Sequence, residues 1–393
     1  MLKGNWNYPT AMKAGAGRLA DVPALCREYG IVNPLIVTDP GLRGLDFTGR
    51  LLESCRVAGL GVAIFSDIKP NPTGSNVESG TRVFVSGGHD GVIAIGGGSA
   101  MDAGKAIAFM AHQERPIWDF EDVGDNFLRA KADAIRPVIA IPTTAGTGSE
   151  VGRASIITDE KQLQKKIIFH PRMLPVAAVL DPELTVGLPP MLTAATGMDA
   201  LSHSLEALCS PVFHPIAEGM ALEGIRLVFE NLERVVTHGN DLDARLKMLT
   251  ASSMGAAAFQ KGLGAMHALA HPLGAVFDAH HGMLNAVLMP YVLERNSAVC
   301  GGKLDRAARV LGGPYQPNGD TPFIQSVLKM RAAIGIPHSL SDMGLNIDEA
   351  AAEKIAGMAV LDPSASTNPI PFTAEEYRIL LLEAAAGQLK ATI

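Results

Sequence analysis

GVIAIGGGSAMD, residues 91–102, decides the fold. Residues 91–95 are apolar apart from the leading glycine, and the run ends in Gly96, Gly97 and Gly98, then Ser99 and a helical pattern. A short apolar run bounded by glycine reads as a strand buried on both faces. Consecutive glycines remove every Cβ from the place where a ligand would approach the backbone. The helix that follows offers unpaired N–H groups and the positive end of its dipole. Together these predict a phosphate cradle at a strand-to-helix junction. The stretch is neither GxGxxG nor GxxxxGK[ST], which excludes the ordinary Rossmann and P-loop fingerprints. Ser99 is placed either to cap the helix or to bond a phosphate oxygen.

The same rhythm recurs on both sides of this stretch. LIVTD at 35–39, GVAIF at 61–65 and RPVIAIPTTAG at 136–146 are further strand candidates, with helical patterns such as 47–58 and 75–87 between them. Alternation of this kind predicts a doubly wound, parallel sheet. After DPELTVGLPP at 181–190 the texture changes. Helical patterns follow at 191–209, 216–237, 241–259, 284–299, 303–311, 320–334, 347–360 and 373–389, with no convincing strand. A chain of 393 residues exceeds the roughly 250–300 residues at which single cores stop growing. The expected architecture is an α/β N-terminal dinucleotide-binding domain, 1–188, and an all-α C-terminal domain, 189–393, divided at Pro189-Pro190.

A net charge of −7 gives no electrostatic footprint for nucleic acid or an anionic membrane. No apolar run reaches the length of about 18 residues that spans a bilayer, and the opening MLKGNWNYPT lacks the apolar core of a signal peptide. Cys26, Cys55, Cys209 and Cys300 show no CxxC pairing and read as reduced thiols of a cytoplasmic protein. So many apolar helices predict a homodimer or larger homo-oligomer.

Two further strand ends carry chemistry. Asp39 closes LIVTD, where an acidic residue bonds ribose hydroxyls and favours NAD over NADP. PTTAGTGSE at 142–150 is a second small, hydroxyl-rich loop, and open α/β sheets bind ligands outside the carboxyl ends of their strands.

In the helical half, GLGAMHALAHPLGAVFDAHHGMLNAVLMP at 262–290 holds four of the eleven histidines: His267, His271, His280 and His281. An apolar segment does not collect imidazoles by propensity, because buried polar rings need partners. His267 and His271 are spaced to share a helix face, although Pro272 predicts a kink or restart. TAATGMDALSHSLEA at 193–207 sets Asp199 and His203 side by side at i, i+4. One carboxylate with three imidazoles suits Fe(II), Zn(II) or another divalent first-row ion. Spacing leaves open which of the four histidines complete the set.

With these features joined, the chain resembles the iron-containing (group III) alcohol dehydrogenases. The resemblance rests on DIKPNP at 67–72, GGGSAMDAGK at 96–105, PTTAGTGSE at 142–150, DPELTVGLPP at 181–190, TAATGMDALSH at 193–203 and the histidine stretch, in that order. It implies a dehydroquinate-synthase-like fold with a nicotinamide cofactor in a cleft between the domains. It implies metal ligands at Asp199, His203, His267 and His281, with Fe(II) as the metal and Zn(II) as the alternative. His271 would then be a non-ligand imidazole near substrate and nicotinamide, a candidate proton relay. Cofactor contacts carry over to Asp39, Asn71, Gly97, Gly98, Ser99, Thr143, Thr144, Thr147 and Lys165. The implied reaction moves a hydride between NAD(H) and a small primary alcohol or aldehyde. A competing reading is an NAD- and metal-dependent lyase or cyclase of the dehydroquinate synthase type. Its phosphate-bearing substrate calls for a Lys/Arg cluster that the segments around these histidines lack.

The chain also departs from the family pattern. Gly152 stands where many relatives carry a polar residue, His280 stands where many carry proline, and Arg153 adds a cation near the expected substrate pocket. Arginine grips carboxylates bidentately, so Arg153 suggests a hydroxy acid or semialdehyde substrate.

Overall fold

The computed structural model describes residues 10–162, 164–313 and 321–390. The first nine residues of the expected N-terminal domain, and position 320 of the 320–334 pattern, lie outside them. Two compact units part between Gly187 and Leu188.

The strands of the first unit are β1 (Ala11–Ala14), β2 (Pro34–Val37), β3 (Ala63–Phe65), β4 (Gly91–Gly96), β5 (Val138–Pro142), β6 (Ala154–Asp159), β7 (Gln164–Phe169) and β8 (Ala177–Leu180). Six of them form a parallel sheet in the order β1-β8-β5-β4-β2-β3, and β6 and β7 form a separate antiparallel hairpin. Its helices are α1 (Val22–Glu28), α2 (Asp46–Val57), α3 (Gly74–Ser86) and α4 (Gly98–Met110).

The period of two along each strand divides the core into two layers. Leu35, Val37, Val92, Ala94, Val138 and Ala140 pack with Phe84 of α3 and Phe109 of α4. Ile36, Ile93, Ile95, Ile139 and Ile141 pack on the other face with Leu25 of α1 and Leu51 of α2. Helices on both faces explain why these strands read as continuous apolar runs. From β2 the chain steps outward to β3, then returns to place β4 on the other side of β2. That reversal is a topological switch point, and it leaves a crevice outside the carboxyl ends of β2 and β4.

The four expected strands are all present. The sequence did not reveal β1, β8 or the β6–β7 hairpin. AMKA and AAVL are short and alanine-rich, and QKKIIF begins polar, so pairing rather than propensity makes them strands.

The second unit contains α5 (Pro190–Cys209), α6 (Pro215–Thr237), α7 (Leu242–Ala258), α8 (Ala265–Phe277), α9 (His281–Val310), α10 (Thr321–Ala333), α11 (Glu349–Leu361) and α12 (Ala374–Ala386), with no strand among the described residues. Among the described residues no helix is long and apolar enough to cross a membrane. At neither of two expected interruptions does a helix end. α8 runs through Pro272, and α9 runs through Pro290 and across 300–302, joining two expected segments. A proline inside a helix costs about 3 kcal/mol and a glycine about 1 kcal/mol. Burial of Leu269 and Leu273 in α8, and of Leu284, Val287, Tyr291 and Leu304 in α9, opposes those costs.

α5 ends on a buried lysine. Nζ of Lys261 donates to the carbonyls of Ala207, Leu208 and Ser210 at 3.0, 3.2 and 2.6 Å, satisfying the last turn. Its charge is matched by Glu218 at 3.2 Å. Lys261→Met is expected to lower the unfolding free energy by about 3 kcal/mol, because carbonyls and a carboxylate lose a buried partner. Urea unfolding measures this, and an unchanged midpoint would contradict the capping role.

Candidate active site

The cradle is built where three neighbouring strands end. Gly96 closes β4 at φ 151°, and a Cβ there would lie 2.7 Å from the Ala100 methyl and 3.4 Å from Oδ2 of Asp39. At Gly98 a Cβ would lie 2.7 Å from Cγ2 and 3.0 Å from Oγ1 of Thr147. At Gly97 the nearest atom would be Oγ1 of Thr144, at 3.6 Å. Thr143 continues the ladder by donating its N–H to the Gly96 carbonyl at 2.9 Å. Asp39, the glycines and the threonines therefore share one corner. Gly97 is the N-cap of α4 and supplies no side-chain cap, so the first N–H groups of the helix keep their capacity for an anion.

Ser99 does not cap α4. Its hydroxyl donates to the Pro70 carbonyl and ties the 67–72 loop to the cradle. Asn76 closes that loop, donating to the Asp67 carbonyl at 2.9 Å and accepting from Lys69 N–H at 3.3 Å. Asn71 follows Pro70, the residue that Ser99 holds. Thr158 N–H donates to the Pro72 carbonyl at 2.8 Å, and Lys165 is the register partner of Thr158, which sets Lys165 near the same loop. Asp102 is an anchor: it accepts from Ser149 Oγ at 2.5 Å and Ile156 N–H at 2.9 Å, beside buried Lys105 at 3.1 Å. Arg153 lies over the Phe169 ring, 5.6 Å from its centroid. Burial raises the Asp122 carboxyl and the Arg153 charge opposes that rise. The guanidinium thus sits between an aromatic face of the hairpin and the field of the Asp122 carboxylate.

The second cluster is carried by α5, α8 and α9. On α5, Asp199, His203 and Glu206 follow at i, i+4 and i+7 on one face, each at most 4% exposed. α8 contributes His267, which is 1% exposed. α8 ends at Asp278 in the left-handed conformation (φ 51°), and a short turn leads into His281 at the start of α9. Gly282 allows α9 to begin against α5, since a Cβ there would sit 2.5 Å from the Ala195 carbonyl oxygen. His280 also finds its place: its ring nitrogen accepts from Met283 N–H at 3.4 Å and caps α9.

Ligand atoms of Asp199, His203 and His267 lie within 4.8 Å of one another. His281 Nε2 is 3.6 Å from Asp199 Oδ1. Donors around a tetrahedral ion with bonds near 2.1 Å stand about 3.4 Å apart, so Asp199, His203 and His267 form a set suited to a divalent ion, with His281 beside the carboxylate. Burial works to raise the Asp199 carboxyl, but His203, His281, His267 and the Asn285 amide together hold it down to about 2. It is therefore an anionic donor at any physiological pH.

Two residues absent from the sequence reading support these donors. Glu206 accepts from Met266 N–H at 2.7 Å and stands 2.7 Å from His267 Nδ1, which leaves His267 Nε2 for a ligand role. Burial lowers the His267 pKa, and Glu206 and Asp199 overcome that effect and raise it. Fully buried Asn285 donates to Asp199 Oδ1 at 2.9 Å and lies 3.2 Å from Nε2 of both His267 and His281. Each carried a local signal, Glu206 at i+7 from Asp199 and Asn285 at i+4 from His281. His271 Nδ1 is 2.8 Å from Asp362, and its ring stacks on that of His281 at 5.5 Å and 11°.

The chain is similar in sequence and in fold to known proteins. The family model described as iron-containing alcohol dehydrogenase matches residues 9–182, and that described as Fe-containing alcohol dehydrogenase family, C-terminal, matches 193–385. The chain is 40% identical to a 4-hydroxybutyrate dehydrogenase of Cupriavidus necator, over 95% of this chain and 98% of that one. It superposes on the crystal structure of a 1,3-propanediol oxidoreductase with a TM-score of 0.92 at 34% identity, covering 97% of this chain and all of the other (100%). A sulfoacetaldehyde reductase from Bifidobacterium kashiwanohense, solved in complex with NAD+, gives a TM-score of 0.87 at 28% identity over 98% and 100% of the two chains.

Glu206→Gln keeps the shape but loses the charge behind His267. Its affinity for divalent metal is expected to fall roughly 10- to 100-fold, measured by competition with a chelating dye. Unaltered affinity would remove Glu206 from the site.

Proposed function

The chain belongs to the iron-containing alcohol dehydrogenase family, and on that premise we propose that it is a metal-dependent oxidoreductase that moves a hydride between NAD(H) and a small primary alcohol or aldehyde. The observation that carries this reading is the buried set Asp199, His203 and His267, backed by a second buried carboxylate, Glu206. Such a set has no structural need of two carboxylates, and it suits a divalent ion. We assign the ligands to Asp199, His203, His267 and His281, with Fe(II) as the ion and Zn(II) as the alternative. The dinucleotide would be held at Asp39, Asn71, Gly97, Gly98, Ser99, Thr143, Thr144, Thr147 and Lys165, at Ser99 through backbone N–H and lone pairs because its hydroxyl hydrogen is committed to Pro70.

When bound, the ion supplies Lewis acidity toward the alcohol oxygen and the nicotinamide accepts the hydride. The chain's own residues do the rest. Glu206 and Asn285 hold His267 and Asp199 in the orientation their roles require. His271, outside the donor set, takes the alcohol proton at its ring nitrogen and passes it to solvent. The lyase reading is not favoured: the relatives reported above carry the names of oxidoreductases.

Within this activity we propose a substrate bearing an acidic group. This rests on the similarity to a 4-hydroxybutyrate dehydrogenase rather than on Arg153, whose guanidinium faces Phe169. Catalytic efficiency is expected to be about tenfold higher for 4-hydroxybutyrate than for 1-butanol, the scale of one charge-assisted hydrogen bond. Arg153→Ala should leave that ratio unchanged. A wild-type preference for the neutral alcohol ends the idea.

The activity itself is tested by stripping metal with a chelator, reloading anaerobically with Fe(II) or Zn(II), and following NAD+ reduction with a panel of alcohols and hydroxy acids. Loss on stripping and return on reloading are expected. No reduction by the iron-loaded protein with any alcohol would overturn the proposal.

A further inference from the structure

The turn after α11 supplies neither a ligand candidate nor a cradle residue, yet it ends on the ring assigned to proton transfer. Both oxygens of Asp362 are engaged. Oδ1 accepts the N–H of Ser364 at 2.8 Å, capping the 3-10 turn Pro363–Thr367, and Oδ2 lies 2.8 Å from Nδ1 of His271. The two side chains are 12% and 18% exposed, so water competes weakly for this contact. The turn is also fixed from its far end. Thr367 Oγ1 donates to the Leu263 carbonyl at 2.8 Å, and Asn368 Oδ1 accepts from Ala265 N–H at 3.1 Å and from Asn296 at 2.8 Å. Leu263 and Ala265 lead into the helix that carries His271. Carboxylate and imidazole are thus referenced to the same few residues of backbone, and neither moves without the other.

We propose that Asp362 is the positioning residue of the proton relay: it accepts the Nδ1–H of His271, selects that tautomer, and leaves Nε2 with its lone pair as the base. The inference rests on the alcohol dehydrogenase reading given above. In the oxidising direction the alcohol O–H proton passes to His271 Nε2. The carbon gives up a hydride to the nicotinamide of NAD+, and the C–O bond becomes the aldehyde C=O. The ring is then an imidazolium with both nitrogens protonated, its charge set against the Asp362 carboxylate, and Nε2 returns the proton to water. Reduction runs the same steps backwards. A carboxylate in this place acts on orientation and on the charge that develops, without taking the proton itself. Burial opposes the charge on Asp362, but the His271 ring and the Ser364 N–H more than offset it, so the carboxyl titrates below its ordinary range.

Asp362→Asn separates the two duties of the side chain. The amide oxygen can still accept from Ser364 N–H, which keeps the turn, and the NH2 group then faces Nδ1 and favours the opposite tautomer. In metal-loaded protein, turnover with the best alcohol is expected to fall about 100-fold, with KM for alcohol, affinity for NADH and metal content unchanged. Asp362→Glu should recover part of the loss. In zinc-loaded protein labelled with 15N-histidine, the long-range 1H–15N spectrum should show the Nδ1–H tautomer of His271 in the wild type and its loss in Asp362→Asn. Retention of that tautomer in the variant, or turnover within about twofold of wild type, would overturn the role. A fall in metal content or NADH affinity equal to the fall in turnover would also overturn it, since it would make Asp362 a structural residue only. If the wild type oxidises no alcohol, the dehydrogenase reading itself falls and the relay with it, whatever the spectrum shows.

Discussion

Asp199 is an anionic carboxylate with 2% of its surface exposed, and much of the helical unit is arranged to compensate it. An isolated buried charge is too costly to keep, so partners have to converge on it from several elements. His203 comes from one turn further along α5, His267 from α8, and His281 and Asn285 from the first turns of α9. These approaches set secondary demands. α9 has to start against the α5 backbone, which requires glycine at 282, and α5 has to end on a satisfied turn, which Lys261 provides. The imidazole farthest from water, His267, then needs its own orienting anion, Glu206.

The α/β unit answers a different constraint, the crowded corner where β2, β4 and β5 end. Its strand order reverses beside β4, and there the chain places residues without side chains. The surrounding polar groups are mostly committed to one another rather than to solvent. Ser99 holds Pro70, Asp102 holds Ser149 and the β6 backbone, and Asn76 holds the 67–72 loop. A cradle made of backbone N–H groups needs such bracing, because its donors cannot adjust as side chains do.

The departures from sequence expectation share a cause. Pro272 is read locally as a kink or restart, yet α8 continues through it, in a helix whose buried residues outweigh one lost hydrogen bond. AMKA is poor strand material, but β8 is parallel to it and in register. Ser99 was open to capping its helix or to a phosphate oxygen, and its hydroxyl donates to Pro70 across 29 residues of chain. In each case a neighbour remote in sequence decides the outcome.

What the sequence determined by itself was whatever depends on short-range order: the buried strands, the glycine cradle, the helical second half, and the Asp199/His203 pair at one helical turn. Glu206 and Asn285 were within that reach, since both repeat the same helical period. What only the tertiary structure decided was which remote partner each buried imidazole meets. His267 meets Glu206 across 61 residues of chain and His271 meets Asp362 across 91, and no periodicity spans such distances. Local pattern reports which face of an element is apolar. The partner that a buried polar atom finds depends on how whole helices pack, and that is settled only when the chain is folded.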